Sequence, residues 1–231
     1  MSLYRNAVWL VKGLREFTNS GFLTASKTFT ESDLDVRCEG RSYLITGSNS
    51  GIGRQTALEI LRRGGTVHMV CRNPSTGGEA RQELMETSGN NNLHLHILDL
   101  SKPRDVAAFV KKFGEENSKL DVLINNAGCM VNTRQTNEEG LDMNFATNVL
   151  GTFMLTSGLL PLLGQSDQPR VVTVSSGGML VQALDVTDLQ FEKVRIRDRD
   201  CVSVLHCVMC CRWRDMTGRW STLRTRGSRW R

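Results

Sequence analysis

Residues 42–53 read Ser-Tyr-Leu-Ile-Thr-Gly-Ser-Asn-Ser-Gly-Ile-Gly, a short apolar run that breaks into three glycines and passes straight into a helical pattern over 52–63. Strand, tight turn and helix follow one another without a spacer. Gly47 suits the positive φ of a tight turn, Gly51 lets the backbone approach a pyrophosphate closely, and Gly53 lets helix and strand pack tightly. A phosphate would sit on the helix N-terminus, where unpaired N–H groups and the helix dipole favour an anion. In this context Gly47, Ser48, Asn49, Ser50, Gly51, Ile52 and Gly53 form a candidate nucleotide site.

Outward from this turn the pattern repeats. Gly64-Gly65 ends the first helix, and the apolar run 66–71 is a second strand. A helix over 79–87, a strand over 93–100, a helix over 104–113 and a strand over 121–125 follow. A long helix over 138–163 and a fifth strand over 170–174 complete the readable series. Strands alternating with helices at short spacing predict an α/β, doubly wound parallel sheet with helices on both faces.

Composition agrees with a folded domain. The 231 residues are 39% hydrophobic and 23% charged, with 21 Gly and 4 Pro, which excludes a collagen or a disordered chain. No run of about 18 apolar residues stands out as a membrane span. The net charge of +5 is unevenly placed: residues 195–231 carry ten Arg against three Asp, so the rest of the chain is slightly acidic. Three of the four Trp and four of the seven Cys lie in the same stretch. Cys38, Cys71 and Cys129 are scattered without a pairing pattern, and nothing resembles a secretory signal, so the expectation is reduced thiols and an intracellular protein. Residues 1–17 place Leu3, Leu10, Leu14 and Phe17 on one helical face with Arg5, Lys12 and Arg15. This basic amphipathic segment admits packing on the domain's own surface, peripheral membrane contact, or a mitochondrial import presequence; the location is accordingly cytoplasmic, membrane-associated or mitochondrial. Residues 18–40 are polar and read as an irregular linker.

Four segments in order resemble the short-chain dehydrogenase/reductase family: the turn 46–53, Asn125-Asn126-Ala127-Gly128 after the fourth strand, Asn148-Val149-Leu150-Gly151, and the serine strand running through Ser175-Ser176-Gly177-Gly178. The resemblance covers residues 40–193. It implies a Rossmann-like fold, a nicotinamide cofactor, and hydride transfer between a hydroxyl and a carbonyl carbon of a small molecule. By the same resemblance Asp99 lies near the adenine, Asn126 lines the cleft beside the nicotinamide ribose, Ser176 orients the substrate oxygen, and Asn148 maintains a proton path. At the end of the second strand Cys71-Arg72-Asn73 offers a guanidinium and no acid, which favours NADP over NAD, with Arg54 as a possible supplement.

Two members of the family's catalytic set have no counterpart. The two tyrosines are Tyr4 and Tyr43, both upstream of the serine strand, so no Tyr-x-x-x-Lys follows it. Residues 188–193 resemble instead the loop that retinol-dehydrogenase-like members carry before the tyrosine helix. Beyond residue 193 the composition changes as a splice or frame change would leave it, with no amphipathic period and no strand pattern. Nucleic-acid binding by the Arg and Trp of this tail, or a metal site from His206, Cys207, Cys210 and Cys211, has little else in the sequence to support it, and neither is expected. The expected division is an arm and linker over 1–40, a dinucleotide-binding domain over 41–193 that is incomplete after its fifth strand, and a divergent, disordered tail over 194–231.

Overall fold

Strand β1, Ser42–Thr46, sends Tyr43 and Ile45 to one face of the sheet and Leu44 to the other, the two-residue alternation that lets one strand serve two cores. The computed structural model describes residues 3–16, 18–176, 186–190, 192, 213–214 and 220–221. Strands β2 (Thr66–Cys71), β3 (Leu93–Ile97), β4 (Val122–Asn125) and β5 (Arg170–Thr173) join β1 in a parallel sheet of order β3-β2-β1-β4-β5. The registers include Ile45 opposite Met69 and Ile124, and Asn125 opposite Thr173. Helices α3 (Gly51–Arg62) and α4 (Pro74–Ser88) cover one face, where Ala57, Ile60, Leu61, Ala80 and Leu84 meet Ile45, Val67, Met69 and Leu93. Helices α5 (Pro103–Glu116) and α6 (Thr152–Leu163) cover the other, where Phe113, Leu155 and Leu159 meet Leu44 and Leu123. Truncating a fully buried leucine such as Leu123 to Ala costs ~2–5 kcal/mol. The doubly wound, Rossmann-like sheet is therefore present, with five strands among the described residues.

Several boundaries differ from the sequence reading. Helix α4 starts at Pro74 rather than residue 79, because Asn73 Oδ1 accepts from the N–H groups of Ser75 and Thr76 at 2.9 and 3.2 Å and Pro74 fits the first turn. Strand β3 ends at Ile97 rather than residue 100. The long helix over 138–163 is not continuous. Gly140, at φ +77°, closes a turn before Asp142, whose Oδ1 then accepts from the N–H groups of Asn144 and Phe145 at 2.9 and 3.0 Å. A π-helical segment, Phe145–Gly151, leads from there into α6. The stretch Phe145–Leu163 is apolar and long enough to cross a membrane, which the sequence reading passed over. Half of its apolar window is buried inside the fold, as in a core helix.

The arm is more ordered than a linker. Helix α1, Leu3–Glu16, is followed by α2, Asn19–Ser26, and by a 3-10 turn, Glu31–Leu34. Most of the tail after residue 192 lies outside the described residues, as do Gly177, Gly178 and Lys193. Within the tail, β6 (Trp213–Arg214) and β7 (Trp220–Ser221) pair antiparallel as a separate two-stranded ladder and add no strand to the parallel sheet.

Candidate functional site

The strand order reverses direction at β1, so β2 and β4 leave it on opposite sides and a crevice opens at the C-terminal ends of the strands. The glycine turn fills this position. Gly47 stands at φ +65° and donates its N–H to the Val70 carbonyl at 2.8 Å; Gly51 stands at φ +54°. A Cβ on Gly51 would meet no atom within 4 Å, so the turn presents bare backbone to open space, while a Cβ on Gly53 would lie 2.4 Å from Asn126 Nδ2 and 2.5 Å from the Gly47 carbonyl oxygen. Ser50 caps α3 without a side-chain hydrogen bond, which leaves first-turn N–H groups facing outward. Bare backbone beside an uncapped helix start fits the pyrophosphate of a dinucleotide.

Two threads staple this turn to the end of β4. Thr46 Oγ1 accepts from the N–H groups of Asn126 and Ala127 at 3.0 and 2.9 Å. In return Asn126 Nδ2 donates to the carbonyls of Thr46 and Gly47 at 2.9 and 3.2 Å. The donors of the Asn126 side chain are thus engaged in shaping the turn. Ser48 is fully buried, its hydroxyl donating to the Ile45 carbonyl at 3.0 Å, so its side chain faces the core. Asn49 donates to Thr76 Oγ1 at 3.2 Å and ties the turn to α4. Ile52 is 70% exposed beside the turn.

Arg72 follows directly after β2, exposed, and among the described residues it has no ion pair. Arg54 is different: its guanidinium pairs with Glu83, and its Nε is buried without a partner. That pairing leaves Arg72 as the available cation and weakens the reading of Arg54 as a supplement. Asp99 lies just beyond β3, with Oδ1 accepting from the N–H and hydroxyl of Ser101 at 2.9 and 2.7 Å.

On the opposite side of the crevice, Asn148 sits in the π-helical segment and is buried. Both ends of its amide grip Cys129, four residues past β4. Asn144 does the same one turn earlier, with Oδ1 accepting from the Val131 N–H at 2.8 Å and Nδ2 donating to its carbonyl at 3.2 Å. Ser176 follows β5 and is half-buried where Ser175 is exposed; Val174 donates to the Asn125 carbonyl at 2.9 Å, which keeps the two strand ends in step. Burial pushes the thiols of Cys71 and Cys129 up from their ordinary value, which disfavours the thiolate. Among the described residues no cluster of three or more His, Cys, Asp or Glu side chains is arranged to hold a metal; His206, Cys207, Cys210 and Cys211 lie outside them.

The sequence reading missed Thr46, Asn144, Asp142 and Gln190. Gln190 Oε1 accepts from the Asp142 N–H at 2.7 Å, and its carbonyl accepts from Arg134 Nε at 2.9 Å, so Gln190 ties Arg134 to the start of the segment that carries Asn144 and Asn148. Thr46 had a signal, a hydroxyl directly before the first glycine. Asp142 had one too, an acid just before a helical stretch whose N–H groups it caps, whereas Asn144 and Gln190 depend on contacts distant in sequence.

A family model described as short chain dehydrogenase matches residues 41–186. The chain is 57% identical over 193 residues to dehydrogenase/reductase SDR family member 12 of Homo sapiens, covering 84% of this chain and 61% of that protein. It is 38% identical over 159 residues to retinol dehydrogenase 12 of Mus musculus, covering 69% of this chain and 50% of that protein. The chain therefore spans 61% and 50% of the length of these relatives. Among solved structures, a short chain dehydrogenase from Escherichia coli CFT073 complexed with NADPH aligns with a TM-score of 0.57 at 28% identity, covering 68% of this chain and 67% of that one. An uncharacterized protein from Mycobacterium Paratuberculosis aligns with a TM-score of 0.64 at 32% identity, over 77% and 61% of the two chains.

Proposed function

The chain belongs to the short-chain dehydrogenase family, and from that premise we propose that it binds NADP(H) in the crevice beside the glycine turn, as a member of an oxidoreductase family acting on a hydroxyl or carbonyl group of a small molecule. The observation that carries this reading is the turn itself, with Gly51 opening onto empty space and Gly53 packed against Asn126. A bound nicotinamide would supply the hydride. The backbone of residues 47–53 and the start of α3 would hold the pyrophosphate, Arg72 would face the 2′-phosphate, and Asp99 would border the adenine. Solved neighbours complexed with NADPH and NADP support the choice of cofactor.

Proton transfer is where this chain departs from its family. Ser176 would orient a substrate oxygen, and Asn148 would keep the loop at Cys129 in place. Tyr43, however, lies in the core of β1, where burial and the neighbouring Cys38 push its phenol up to about 12. Tyr4 belongs to α1. With no tyrosine after Ser176 in these 231 residues, general acid–base catalysis loses ~10²–10⁴-fold, and we expect cofactor binding with little or no turnover. That outcome also suits a second reading, a nucleotide- or partner-binding form without catalysis. The division into an arm over 1–40, a binding domain over 41–193 and a separate tail belongs to the same proposal, as does membrane contact through residues 1–17.

The test is a thermal unfolding series with NADPH. The transition should rise with NADPH, Gly51→Val should remove that rise, and carbonyl reduction should be absent. NADPH-dependent reduction that Ser176→Ala abolishes would overturn the prediction of no turnover, and an unmoved transition would overturn cofactor binding.

A further inference from the structure

We propose that Gln190 is a positioning residue for the nicotinamide half of the cofactor, acting through a hairpin, residues 135–143, beside the crevice; this rests on the reading of the crevice as an NADP(H) site. The strand ends stand in the order β3-β2-β1-β4-β5. Asp99 lies beyond β3, Arg72 beyond β2 and the glycine turn beyond β1. A dinucleotide that lays its adenine half on the first two and its pyrophosphate on the turn has β4 and β5 left for its nicotinamide half. Ser176 and the Cys129 loop that Asn148 grips stand there.

The hairpin follows that loop. Thr136 and Asp142 face each other in an antiparallel bridge, flanked by the Asn137 N–H donating to the Leu141 carbonyl at 2.8 Å and the Met143 N–H to the Gln135 carbonyl at 2.9 Å. Asn137 fastens the tip, its Nδ2 donating to the carbonyl of Ser101 at 2.7 Å, and Ser101 is itself held by Asp99. The base is held by a different part of the chain. Gln190 Oε1 accepts from the Asp142 N–H on the returning strand, while Arg134, entering the hairpin, donates Nε to the Gln190 carbonyl and pairs with Glu192 at 3.5 Å. One residue thus closes both strands.

The side-chain bond is the one the hairpin cannot supply for itself. Its two ladder bonds flank the Thr136–Asp142 pair, so the Asp142 N–H points out of the ladder, and Gln190 takes it. Asp142 is buried, so without Gln190 that N–H would have to find another partner or the strand would have to shift. Two residues further on Asn144 grips Val131, and six residues further on Asn148 grips Cys129. A shift at Asp142 is therefore passed to the wall over β4. The adenine side is spared, because Arg72 follows β2 and Asp99 keeps its own bonds to Ser101.

The test is a titration of the full chain with NADPH and with adenosine 2′,5′-bisphosphate, which keeps the adenine half and its 2′-phosphate but lacks the nicotinamide. Gln190→Leu, which keeps the bulk and loses the acceptor, should weaken NADPH by about threefold to tenfold, as one hydrogen bond is worth, and change the fragment by less than about twofold. The emission of the bound reduced nicotinamide should move toward that of free NADPH. Gln190→Glu, an acceptor of the same shape, should restore most of the affinity, which a merely structural loss of bulk would not predict. Arg134→Ala, which opens the other strand, should shift NADPH alone in the same direction and decides the matter if the leucine variant does not fold. Equal losses for NADPH and the fragment, or no loss for either, would overturn the proposal and leave the cofactor site standing. A wild-type chain that binds neither would overturn the cofactor site and this role of Gln190 with it.

Discussion

Asn148 holds Cys129 as a neighbouring strand would: Oδ1 accepts from the Cys129 N–H at 2.8 Å and Nδ2 donates to the Cys129 carbonyl at 2.8 Å. A side-chain amide here replaces the backbone partner that a loop leaving β4 no longer has. With Asn144 gripping Val131 in the same manner, two asparagines on one helical segment fix alternate residues of the loop that walls the crevice. The structure therefore gives Asn148 a positioning task that its side chain performs without any bound molecule.

Replacing Asn148 by Asp keeps the acceptor for the Cys129 N–H but turns the other bond into a repulsion between two oxygens. Asn148→Asp should destabilise the chain by ~2–3 kcal/mol, the cost of one lost bond and an unmatched buried acceptor. Urea unfolding with an unchanged slope measures it. Asn148→Ala, which strands both backbone groups of Cys129, should cost as much or more. A loss below about 0.5 kcal/mol in both would show that the loop does not depend on this grip.

Two glycines in neighbouring helices should respond oppositely to alanine. Gly53→Ala forces a methyl within 2.5 Å of Asn126 Nδ2 and the Gly47 carbonyl, so the glycine turn must move or the helix must lift from the sheet. We expect a loss of ~2 kcal/mol or more, and loss of the NADPH-dependent rise in melting temperature. Gly78, inside α4, has nothing within 4 Å of the added Cβ and a helical backbone. Gly78→Ala should stabilise by ~0.5–1 kcal/mol and leave the NADPH response intact. Differential melting with and without NADPH separates the two.

The contrast shows what a linear reading can carry. The runs at 42–46, 66–71 and 122–125 are apolar and bounded by turn residues, and all three are strands that pair in the sheet. Their alternation was less legible, because a strand covered on both faces is apolar at nearly every position. Residues 74–78, Pro-Ser-Thr-Gly-Gly, look like a loop; the Asn73 cap and the fit of Pro74 to a first turn override two poor helix formers. In the site, the glycines declared themselves by spacing, whereas Asn126 was placed by resemblance beside the ribose and is found holding the turn. Asn144 and Gln190 could not be found by spacing, since their partners lie 13 and 48 residues away.

Arg72 should set the preference between the two nicotinamide cofactors. It is exposed at the end of β2 and unpaired among the described residues, while Arg54 is engaged by Glu83. A charge-assisted bond to the 2′-phosphate contributes ~1.5–3 kcal/mol. Arg72→Ala should therefore weaken NADPH binding by about tenfold to a hundredfold and leave NADH nearly unchanged. Titration of both cofactors by intrinsic fluorescence gives the ratio, and equal losses for the two would remove Arg72 from the phosphate.

The last prediction concerns acid. His68 on β2 lies against His94 and His96 on β3, with ring centroids 4.9 and 5.3 Å away, and its Nδ1 is 3.0 Å from His96 Nε2. Phe113 of α5 meets His68 edge-on at 4.9 Å, and Phe109 meets His96 at 5.5 Å. Burial, helped by the charges His96 and His94 would carry, pushes His68 from 6.5 down to about 3; burial also lowers His96, against Glu116 and with Lys112 of α5. A folded pKa below the unfolded one means that the unfolded chain takes up the proton first. Stability from neutral His68 is thus complete above about pH 6.5 and drains away toward pH 3, at up to ~1.4 kcal/mol per pH unit. Urea midpoints measured from pH 7 to pH 4 should fall steadily. In His68→Phe, which keeps an aromatic ring against Phe113 but cannot take a proton, the fall should be shallower. A parallel decline in the two proteins would place the acid sensitivity outside this cluster, with Asp121 the next group to test: burial opposes its charge, but Ser166, the Ser42 N–H and Lys119 hold its pKa below the usual value.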